Sequence, residues 1–452
     1  MHPSINFTLR YRKVMTTLLV CLGFFCCWPI MAQEKQNRYT LQLKNGQQRI
    51  IEFYGPQIFR VFQDPQGGQL RNPQANPPAQ ILVDQPHRTL KECSMNMAGD
   101  LATIQTESII LKVNLSDGRM EATNRADGRI AFSEKAGAQI GKREVSLTLT
   151  EAPDEYFYGG GVQNGRFSHK GQVISIVNQN SWTDGGVCSP CPFYWSTKGY
   201  GVMFHTFRPG SYDFGSKEQG TVKLTHQTDY LDCFVMIDNG PVALLRDYYQ
   251  LTGAPVLLPK FGFYEGHLNA YNRDYWKETD KGGVPFEDGK RYSESQKDNG
   301  GIKESLNGEK NNYQFSARAV IDRYKAHDMP LGWILPNDGY GAGYGQTGTL
   351  DGNVNNLKEF GDYARKQGVE IGLWTQSDLH PKEGIPALLQ RDIVKEIGVA
   401  GVRLLKTDVA WVGAGYSFGL NGIADAANLM TQHGNNARPF IIALDGWAGT
   451  QR

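Results

Sequence analysis

Cysteine and histidine are scarce in this sequence, and its positive and negative charges nearly balance. Its 452 residues include 7 Cys and 9 His, and 47 Lys and Arg balance 46 Asp and Glu to a net charge of +1. A chain this close to neutral lacks the basic surface that nucleic-acid binding requires. Because only four Cys remain after residue 32, a disulfide framework is not expected either.

Sequence motifs for cofactors and metals are missing as well. No GxGxxG or GxxxxGK loop follows a predicted strand, which argues against an open-sheet nucleotide enzyme. No HxxxH pair or histidine cluster suggests a catalytic metal, so neither a cofactor nor a metal site is predicted. Cys188 and Cys191 have CxxC spacing without a second pair, which favours a structural pair or two buried thiols over zinc or redox chemistry.

The first 32 residues predict a secretory signal peptide. Arg10, Arg12 and Lys13 form a basic start, Val14–Ile30 is an uncharged and mostly apolar run of 17 residues, and Ala32 provides a small residue for cleavage. A transmembrane anchor is the alternative, but about 20 apolar residues are needed to span a bilayer. We therefore expect a secreted or periplasmic protein without a membrane span after signal removal.

Residues 33–252 have the pattern of antiparallel strands. Apolar and polar side chains alternate in Ile109–Leu115 and Val145–Thr150, and turn pairs such as Asn45–Gly46 and Asp117–Gly118 separate such runs. No long helical period interrupts them. This part of the chain is therefore predicted to be an all-β domain with β-sandwich architecture.

Beyond a linker at 253–260, short apolar strands alternate with helical patterns, which is typical of an α/β domain. The predicted strands are Phe261–His267, Leu331–Leu335, Val369–Trp374, Val402–Thr407 and Phe440–Leu444, with helices near 315–327, 353–367, 384–397 and 421–434. Repeated β-α units indicate a parallel sheet, either open or closed into a (β/α)8 barrel. The polar, glycine-rich stretch 277–314 is predicted to be a long loop insertion.

Ligands of parallel α/β folds gather at the carboxyl ends of the strands, so the residues there are the candidate site. Asp338, Trp374, Asp408 and Trp447 lie at or just beyond four predicted strand ends. Carboxylates accept hydrogen bonds from sugar hydroxyls, and aromatic rings pack against the C–H face of a sugar. This combination of residues therefore suits a sugar ligand. Asp408 is the main nucleophile candidate because Lys406 favours its ionised form, and a helix N-cap is the alternative reading.

Four segments resemble sequences of a known family: Tyr156–Gly161, Leu251–Pro255, Gly401–Asp408 and Pro439–Arg452. In these segments the chain resembles glycoside hydrolase family 31, the retaining α-glycosidases. The resemblance implies a galactose-mutarotase-like β-sandwich at 33–252, followed at 253–452 by the N-terminal part of a (β/α)8 catalytic barrel. Because five strands are predicted where a barrel has eight, we expect an incomplete barrel in a C-terminally truncated chain.

The resemblance also implies a double displacement, in which a carboxylate captures the anomeric carbon and a second acid protonates the leaving oxygen. Asp408 would be the nucleophile, and the acid/base would lie beyond Arg452. The residues implied in substrate binding are Asp338, Trp374, Lys406, Trp411, Trp447 and Arg452. The truncated chain itself is expected to be inactive, and the substrate would be an oligosaccharide or glycoconjugate.

Two motifs depart from the α-glucosidase pattern of the family. The run that begins at Thr407 is Thr-Asp-Val-Ala-Trp, and residues 332–341 are Gly-Trp-Ile-Leu-Pro-Asn-Asp-Gly-Tyr-Gly. Both resemble the α-N-acetylgalactosaminidase branch, which predicts terminal α-linked N-acetylgalactosamine as the substrate. An α-galactosidase or α-glucosidase of the same family is one alternative, and a non-catalytic carbohydrate-binding relative or inactive fragment is another.

Overall fold

A computed structural model describes residues 37–181, 183–268, 275–295, 297–309, 312–336, 350–375, 392–407, 415–444 and 446–452. The predicted signal peptide lies outside these residues. Among the described helices, none is both long and apolar enough to cross a membrane.

The first antiparallel sheet has seven strands in the spatial order β1-β2-β3-β16-β13-β12-β10. Its strands are β1 Arg38–Gln42, β2 Gln48–Gly55, β3 Ile58–Gln63, β10 Phe157–Gln163, β12 Val187–Ser196, β13 Tyr200–Phe204 and β16 Leu231–Ile237. The two central strands β3 and β16 are buried along their whole length, since both of their faces are covered.

The second antiparallel sheet has nine strands in the order β11-β14-β15-β9-β8-β7-β6-β5-β4. Its strands are β4 Cys93–Ala98, β5 Leu101–Thr106, β6 Ile109–Asn114, β7 Met120–Asn124, β8 Ile130–Ile140, β9 Val145–Thr150, β11 Val173–Ile176, β14 Gly210–Phe214 and β15 Thr221–His226. Buried side chains alternate with more exposed ones along β5, β6 and β7, as expected for strands with one face on a core.

Side chains from both sheets form one continuous hydrophobic core, which is the arrangement of a β-sandwich. Phe157 of the first sheet stacks on Phe214 of the second, with ring centroids 4.6 Å apart. The alternation seen in the sequence therefore led to the right architecture for this half of the chain.

A buried ionic cluster crosses the first sheet. Arg60 binds both carboxylate oxygens of Asp232 at 2.8 and 2.7 Å, and the His205 ring lies 3.0 Å from the same carboxylate. Burial alone would raise the pKa of Asp232, but the charges and hydrogen bonds of Arg60 and His205 together outweigh it, so the pKa is lowered. Asp232 is therefore held as a paired carboxylate, which fixes β3 against β16.

The sequence analysis missed a helix at the end of this domain. Helix α1 covers Pro241–Thr252, with proline at its start and Gly253 at φ 92° directly after it. Proline suits a first helical turn because its missing N–H has no partner there, and glycine accepts the positive φ that ends a helix. The helix is short and lies between strand-like segments, which hid its period.

Within α1, Asp247 is a buried carboxyl group. Only 2% of the residue is exposed, and its Oδ2 has no hydrogen-bond partner. Burial, together with the nearby Asp238 charge, raises the pKa of Asp247 to about 7. An unfolded Asp ionises near pH 4, so this group makes stability fall as the pH rises from about 4 to about 7.

We expect Asp247→Asn to raise the melting temperature at about pH 8 and to leave it unchanged near pH 4. The gain in unfolding free energy is at most about 4 kcal/mol, the value that corresponds to the raised pKa. Thermal unfolding across this pH range measures it. Asp127→Asn, in an exposed turn of the second sheet, is the control, and equal profiles for Asp247→Asn and wild type would contradict the prediction.

The second half of the chain contains a five-stranded parallel sheet. Its strands follow chain order and are β17 Glu265–Leu268, β22 Leu331–Leu335, β23 Glu370–Thr375, β24 Leu404–Thr407 and β25 Ile441–Ala443. All five were predicted within a few residues, although 260–263 forms a short 3-10 helix before the first of them. Closure into part of a barrel stays a prediction.

Helices α2 Ala317–Ala326, α3 Leu350–Lys366, α4 Ile393–Gly398 and α5 Tyr416–His433 follow the strands as predicted. They bury one face of the sheet, where Ile334, Ile371 and Leu405 join a core with Phe360 of α3. The opposite face, called the inner face here, carries a second cluster that includes Trp333, Leu335, Trp374, Leu404 and Phe440. Strand alternation separates the two sets.

The predicted loop at 277–314 was wrong in part, because much of it is a small antiparallel sheet. Its strands are β18 Tyr275–Glu278, β19 Val284–Pro285, β20 Arg291–Ser295 and β21 Ile302–Lys303. Scattered aromatic residues provide its core: Tyr292 packs edge-on to Phe315 with centroids 4.9 Å apart, and Phe286 lies 4.6 Å from the same ring. Because apolar residues are so few in this segment, they do not form the alternating pattern that predicts a strand.

Candidate functional site

The carboxyl ends of β23, β24 and β25 lie side by side on one edge of the parallel sheet. The register pairs Trp374 with Lys406 and Lys406 with Ile442. Parallel pairing puts residues of one level on the same face, so these three side chains share the inner face near the strand ends. Of the predicted site residues, the structure therefore brings Trp374 and Lys406 together.

Trp374 is held by an aromatic and aliphatic cluster on the inner face. It is 3% exposed and packs in one cluster with Trp333, Leu404 and Phe440. Trp333 meets Phe440 edge-on, with centroids 5.7 Å apart. Gly266 makes room for the Trp333 indole, since a Cβ at this glycine would lie 2.0 Å from the ring. The cluster is apolar and buried, so it fixes the Trp374 indole on the inner face.

Lys406 brings a positive charge to the same level of the inner face. It is half-buried, and it lies two residues before the predicted nucleophile Asp408. Asp408, Asp338 and Trp411 lie outside the described residues, so their roles stay predictions. The structure places the two predicted partners, the Trp374 indole and the Lys406 ammonium, on neighbouring strands at the edge from which Asp408 follows.

Trp447 lies elsewhere, at the junction with the sandwich. It is 2% exposed, its ring stacks on Tyr416 at 4.0 Å, and its indole N–H donates to the carbonyl oxygen of Thr206 at 2.8 Å. The indole thus packs in the sandwich core rather than beside Trp374. Its predicted contact with sugar has no support from these contacts.

The sandwich domain holds the carboxyl end of β25 through side chains that sequence reasoning missed. Asn178 donates from Nδ2 to the carbonyl oxygen of Leu444 at 2.7 Å, and Ser189 donates from Oγ to that of Ala443 at 2.7 Å. The Asn178 backbone N–H donates to the Tyr416 hydroxyl at 2.9 Å. The two side-chain hydrogen bonds to Leu444 and Ala443, called the strand-end clamp here, fix the edge strand of the described sheet.

The glycine run within Tyr156–Gly161 explains how β12 reaches β25. Gly159, Gly160 and Gly161 all have positive φ, and a Cβ at Gly161 would lie 2.1 Å from the carbonyl oxygen of Ser189. Ser189 itself has φ 46°, a left-handed conformation that costs a non-glycine residue energy. Gly161 therefore leaves space for the kink that directs Ser189 toward β25.

Arg452 also departs from its predicted place. Its guanidinium donates to the carbonyl oxygens of Gln80 at 2.6 Å, Ile81 at 2.7 Å and Thr252 at 2.8 Å. Burial lowers the pKa of Arg452. Through these carbonyl acceptors Arg452 ties the last residue of α1 to the loop at residues 80 and 81. Its predicted contact with the sugar is not among its described contacts.

Trp447 and Arg452 line an apolar cavity of about 450 Å³ beside β25. Ile441 and Ala443 line it together with Ile423 of α5. Because Ile441 and Ala443 alternate with the inward-facing Ile442, this cavity lies on the helix-covered side of the sheet. The four described site residues thus divide into two pairs on opposite faces.

Metal and thiol chemistry find no support in the described part of the chain. No group of three or more His, Cys, Asp or Glu side chains there is placed to hold a metal ion. Cys93, Cys188, Cys191 and Cys233 are free thiols. Of the two explanations left open for the CxxC spacing, separate thiols fit and a bonded pair does not.

We expect Trp447→Phe to destabilise the protein by about 1–3 kcal/mol, because the buried carbonyl of Thr206 loses its donor while the ring stack on Tyr416 is kept. Thermal unfolding measures the change. Trp195→Phe is the matched control, since Trp195 stacks on Tyr158 at 4.5 Å and its indole has no described hydrogen bond. Equal losses in the two variants would contradict the assigned contact.

A known domain model matches part of the first half of the chain. Residues 50–213 match the glycosyl hydrolase 31 N-terminal galactose mutarotase-like domain. An α-xylosidase of Lactiplantibacillus pentosus, XylQ, is 34% identical over 201 residues, which cover 42% of this chain and 26% of the relative. An α-xylosidase of Emericella nidulans is 27% identical over 170 residues, 36% of this chain and 20% of the relative.

These findings support glycoside hydrolase family 31. The two relatives of similar sequence are both named α-xylosidases. The N-acetylgalactosaminidase branch receives no support from them. The chain spans about a quarter or less of the length of the two curated family 31 relatives.

Solved structures of the family share the fold over most of the chain. A dextranase of Flavobacterium johnsoniae, complexed with glucose, has a TM-score of 0.68 at 15% identity and covers 92% of this chain and 54% of its own. An α-xylosidase from a soil metagenome, complexed with xylose, has a TM-score of 0.65 at 15% identity. The match covers 92% of this chain and 65% of the xylosidase chain. At this identity the likeness concerns the fold.

Proposed function

We propose that this protein is a retaining α-glycosidase that acts on terminal α-xylosides or a related α-glycoside. The proposal is carried by one observation, the pairing of Trp374 with Lys406 at the strand edge directly before Asp408. The names of the two curated relatives favour xylose as the sugar. The specific prediction of N-acetylgalactosamine has no support from the relatives and is replaced by this broader substrate class.

The chemistry proposed for the strand edge is a double displacement. In the sequence, Asp408 directly follows Thr407, the last residue of β24. Asp408 would form a bond to the anomeric carbon as the aglycone oxygen leaves. A second carboxylic acid would protonate that oxygen and then activate water.

The described residues supply two conditions for this step. The Trp374 cluster is apolar and packed, so a sugar seated on it loses water from its C–H face. Lys406 brings a cation to the same level, and a nearby cation lowers the pKa of a carboxyl group and keeps it ionised. An ionised carboxylate is the form that can attack carbon.

We expect an α-xylosyl fluoride, slowed by a second ring fluorine, to label Asp408 covalently. The C1–F bond breaks with its electron pair going to fluoride, a leaving group that needs no proton, and a C1–O bond to the carboxylate forms. The test therefore does not depend on the acid. Peptide mass spectrometry locates the label, and matching glucosyl and N-acetylgalactosaminyl fluorides rank the sugars.

Asp408→Asn should abolish the label, while Glu359→Gln on the exposed side of α3 should label at the wild-type rate. A label on another residue, or none with any of the three sugars, would overturn the proposal. Calorimetric binding of xylose or N-acetylgalactosamine without labelling would favour the non-catalytic carbohydrate-binding alternative.

Lys406→Met should move the acidic limb of the labelling rate toward neutral pH, because the loss of a cation raises the pKa of the adjacent carboxylate. We expect a loss of about tenfold or more at about pH 5 and a smaller loss at about pH 7. Lys406→Arg keeps the charge and should restore the position of the limb. Equal losses at all pH values would show that Lys406 acts only by packing.

A further inference from the structure

A polar cleft in the β-sandwich is lined by residues other than those at the carboxyl ends of the parallel strands. It has a volume of about 480 Å³, within the roughly 300–1,000 Å³ range of ligand sites. Four connections form it: the loop after β3, the β8–β9 turn, the segment after β13 and the turn before β16. A second cavity of about 760 Å³ continues from it and shares Pro73, Gln74 and Arg208.

The cleft is strongly cationic for a chain that is almost neutral. Four cations line it, Arg71, Lys142, Arg143 and Arg208, against two carboxylates. Within the described parts of the chain, Lys142, Arg143 and Arg208 form no ion pair, and all three are exposed. Three cations around one cleft repel one another, and an anion between them would relieve that repulsion.

The fourth cation, Arg71, is fixed in place. It binds Asp64 at 2.7 Å, and its guanidinium lies 4.5 Å from the centre of the Tyr230 ring. From beneath, the buried Arg60 donates to the carbonyl oxygen of Arg71 at 2.5 Å. The Arg60–Asp232 pair therefore holds the wall of the cleft rigid, which lowers the entropy cost of binding.

The rest of the lining is rich in groups that recognise sugar hydroxyls. Amide side chains come from Gln66, Gln74 and Gln227 in the first cavity and from Asn72, Asn76 and Gln80 in the second. Amides both donate and accept, which matches hydroxyl groups. Tyr230 also lines the first cavity, where its ring carries the Arg71 guanidinium.

We propose that this cleft binds an acidic oligosaccharide, with a hexuronate carboxylate seated between Arg143 and Arg208. Arginine forms two parallel hydrogen bonds to a carboxylate, which a neutral sugar cannot accept in the same way. The two connected cavities take neighbouring sugar units of the same chain. The protein thereby attaches to an acidic polysaccharide through its sandwich domain, whatever the reaction at the strand edges.

The test is calorimetric titration of the whole chain with oligogalacturonate. We expect Arg143→Gln/Arg208→Gln to weaken binding by about tenfold or more, and about 0.5 M NaCl to weaken wild-type binding strongly. Lys217→Gln/Lys223→Gln removes two exposed cations that line neither cavity and should bind like wild type. All substituted side chains are exposed, so the variants should keep the wild-type melting temperature.

Comparison ligands show whether the cleft recognises the carboxylate of a hexuronate or any sugar or polyanion. A neutral xylo-oligosaccharide should bind at least about tenfold more weakly than oligogalacturonate. Equal binding of the neutral sugar, equal losses in both double variants, or equal binding of a sulfated glycan or single-stranded DNA would each overturn the proposal. Since binding is read without catalysis, failure here leaves the labelling of Asp408 untouched, and failure of labelling leaves this cleft untouched.

Discussion

The arrangement depends on the strand-end clamp, the hydrogen bonds from Asn178 and Ser189 to the carboxyl end of β25. They join groups separated by 266 and 254 residues in the chain and fix the edge strand against the sandwich. The cost is visible in the left-handed conformation of Ser189 and in Gly161, where a side chain would collide with the Ser189 carbonyl oxygen. A sheet edge held in this way keeps its register, and with it the level at which Trp374 and Lys406 meet.

Strand alternation then decides what each side chain can do. Successive residues of β24 and β25 point to opposite faces of the sheet. Leu404 and Ile442 therefore belong to the inner cluster, and Leu405 belongs to the helix-covered core. By the same alternation, Lys406 lies on the inner face, and the cavity lined by Trp447 and Arg452 lies on the helix-covered side. Trp447 and Arg452 therefore stabilise the junction between the two halves, while Trp374 and Lys406 remain at the proposed reaction edge.

Local patterns were enough to predict the antiparallel strands of the first half and the alternating strands and helices of the second, but not the contacts between distant segments. Alternation and turn pairs led to the sandwich, and apolar runs located β22 at Leu331–Leu335 without error. Helix α1 and the small sheet around Phe315 were missed because a single helix of 12 residues and a few scattered aromatics leave little periodic signal. The clamp could not be foreseen, since its partners are more than 250 residues apart, although the glycine run at 159–161 marked a place of close approach.

Hydrogen exchange of the Asn178→Ala/Ser189→Ala variant tests the clamp most directly. Peptides covering Ile441–Trp447 should exchange faster than in wild type, while peptides of the sandwich core around β3 and β16 keep their protection. Unchanged exchange at Ile441–Trp447, or a uniform loss of protection throughout the chain, would contradict the view that these two side chains hold the edge of the sheet.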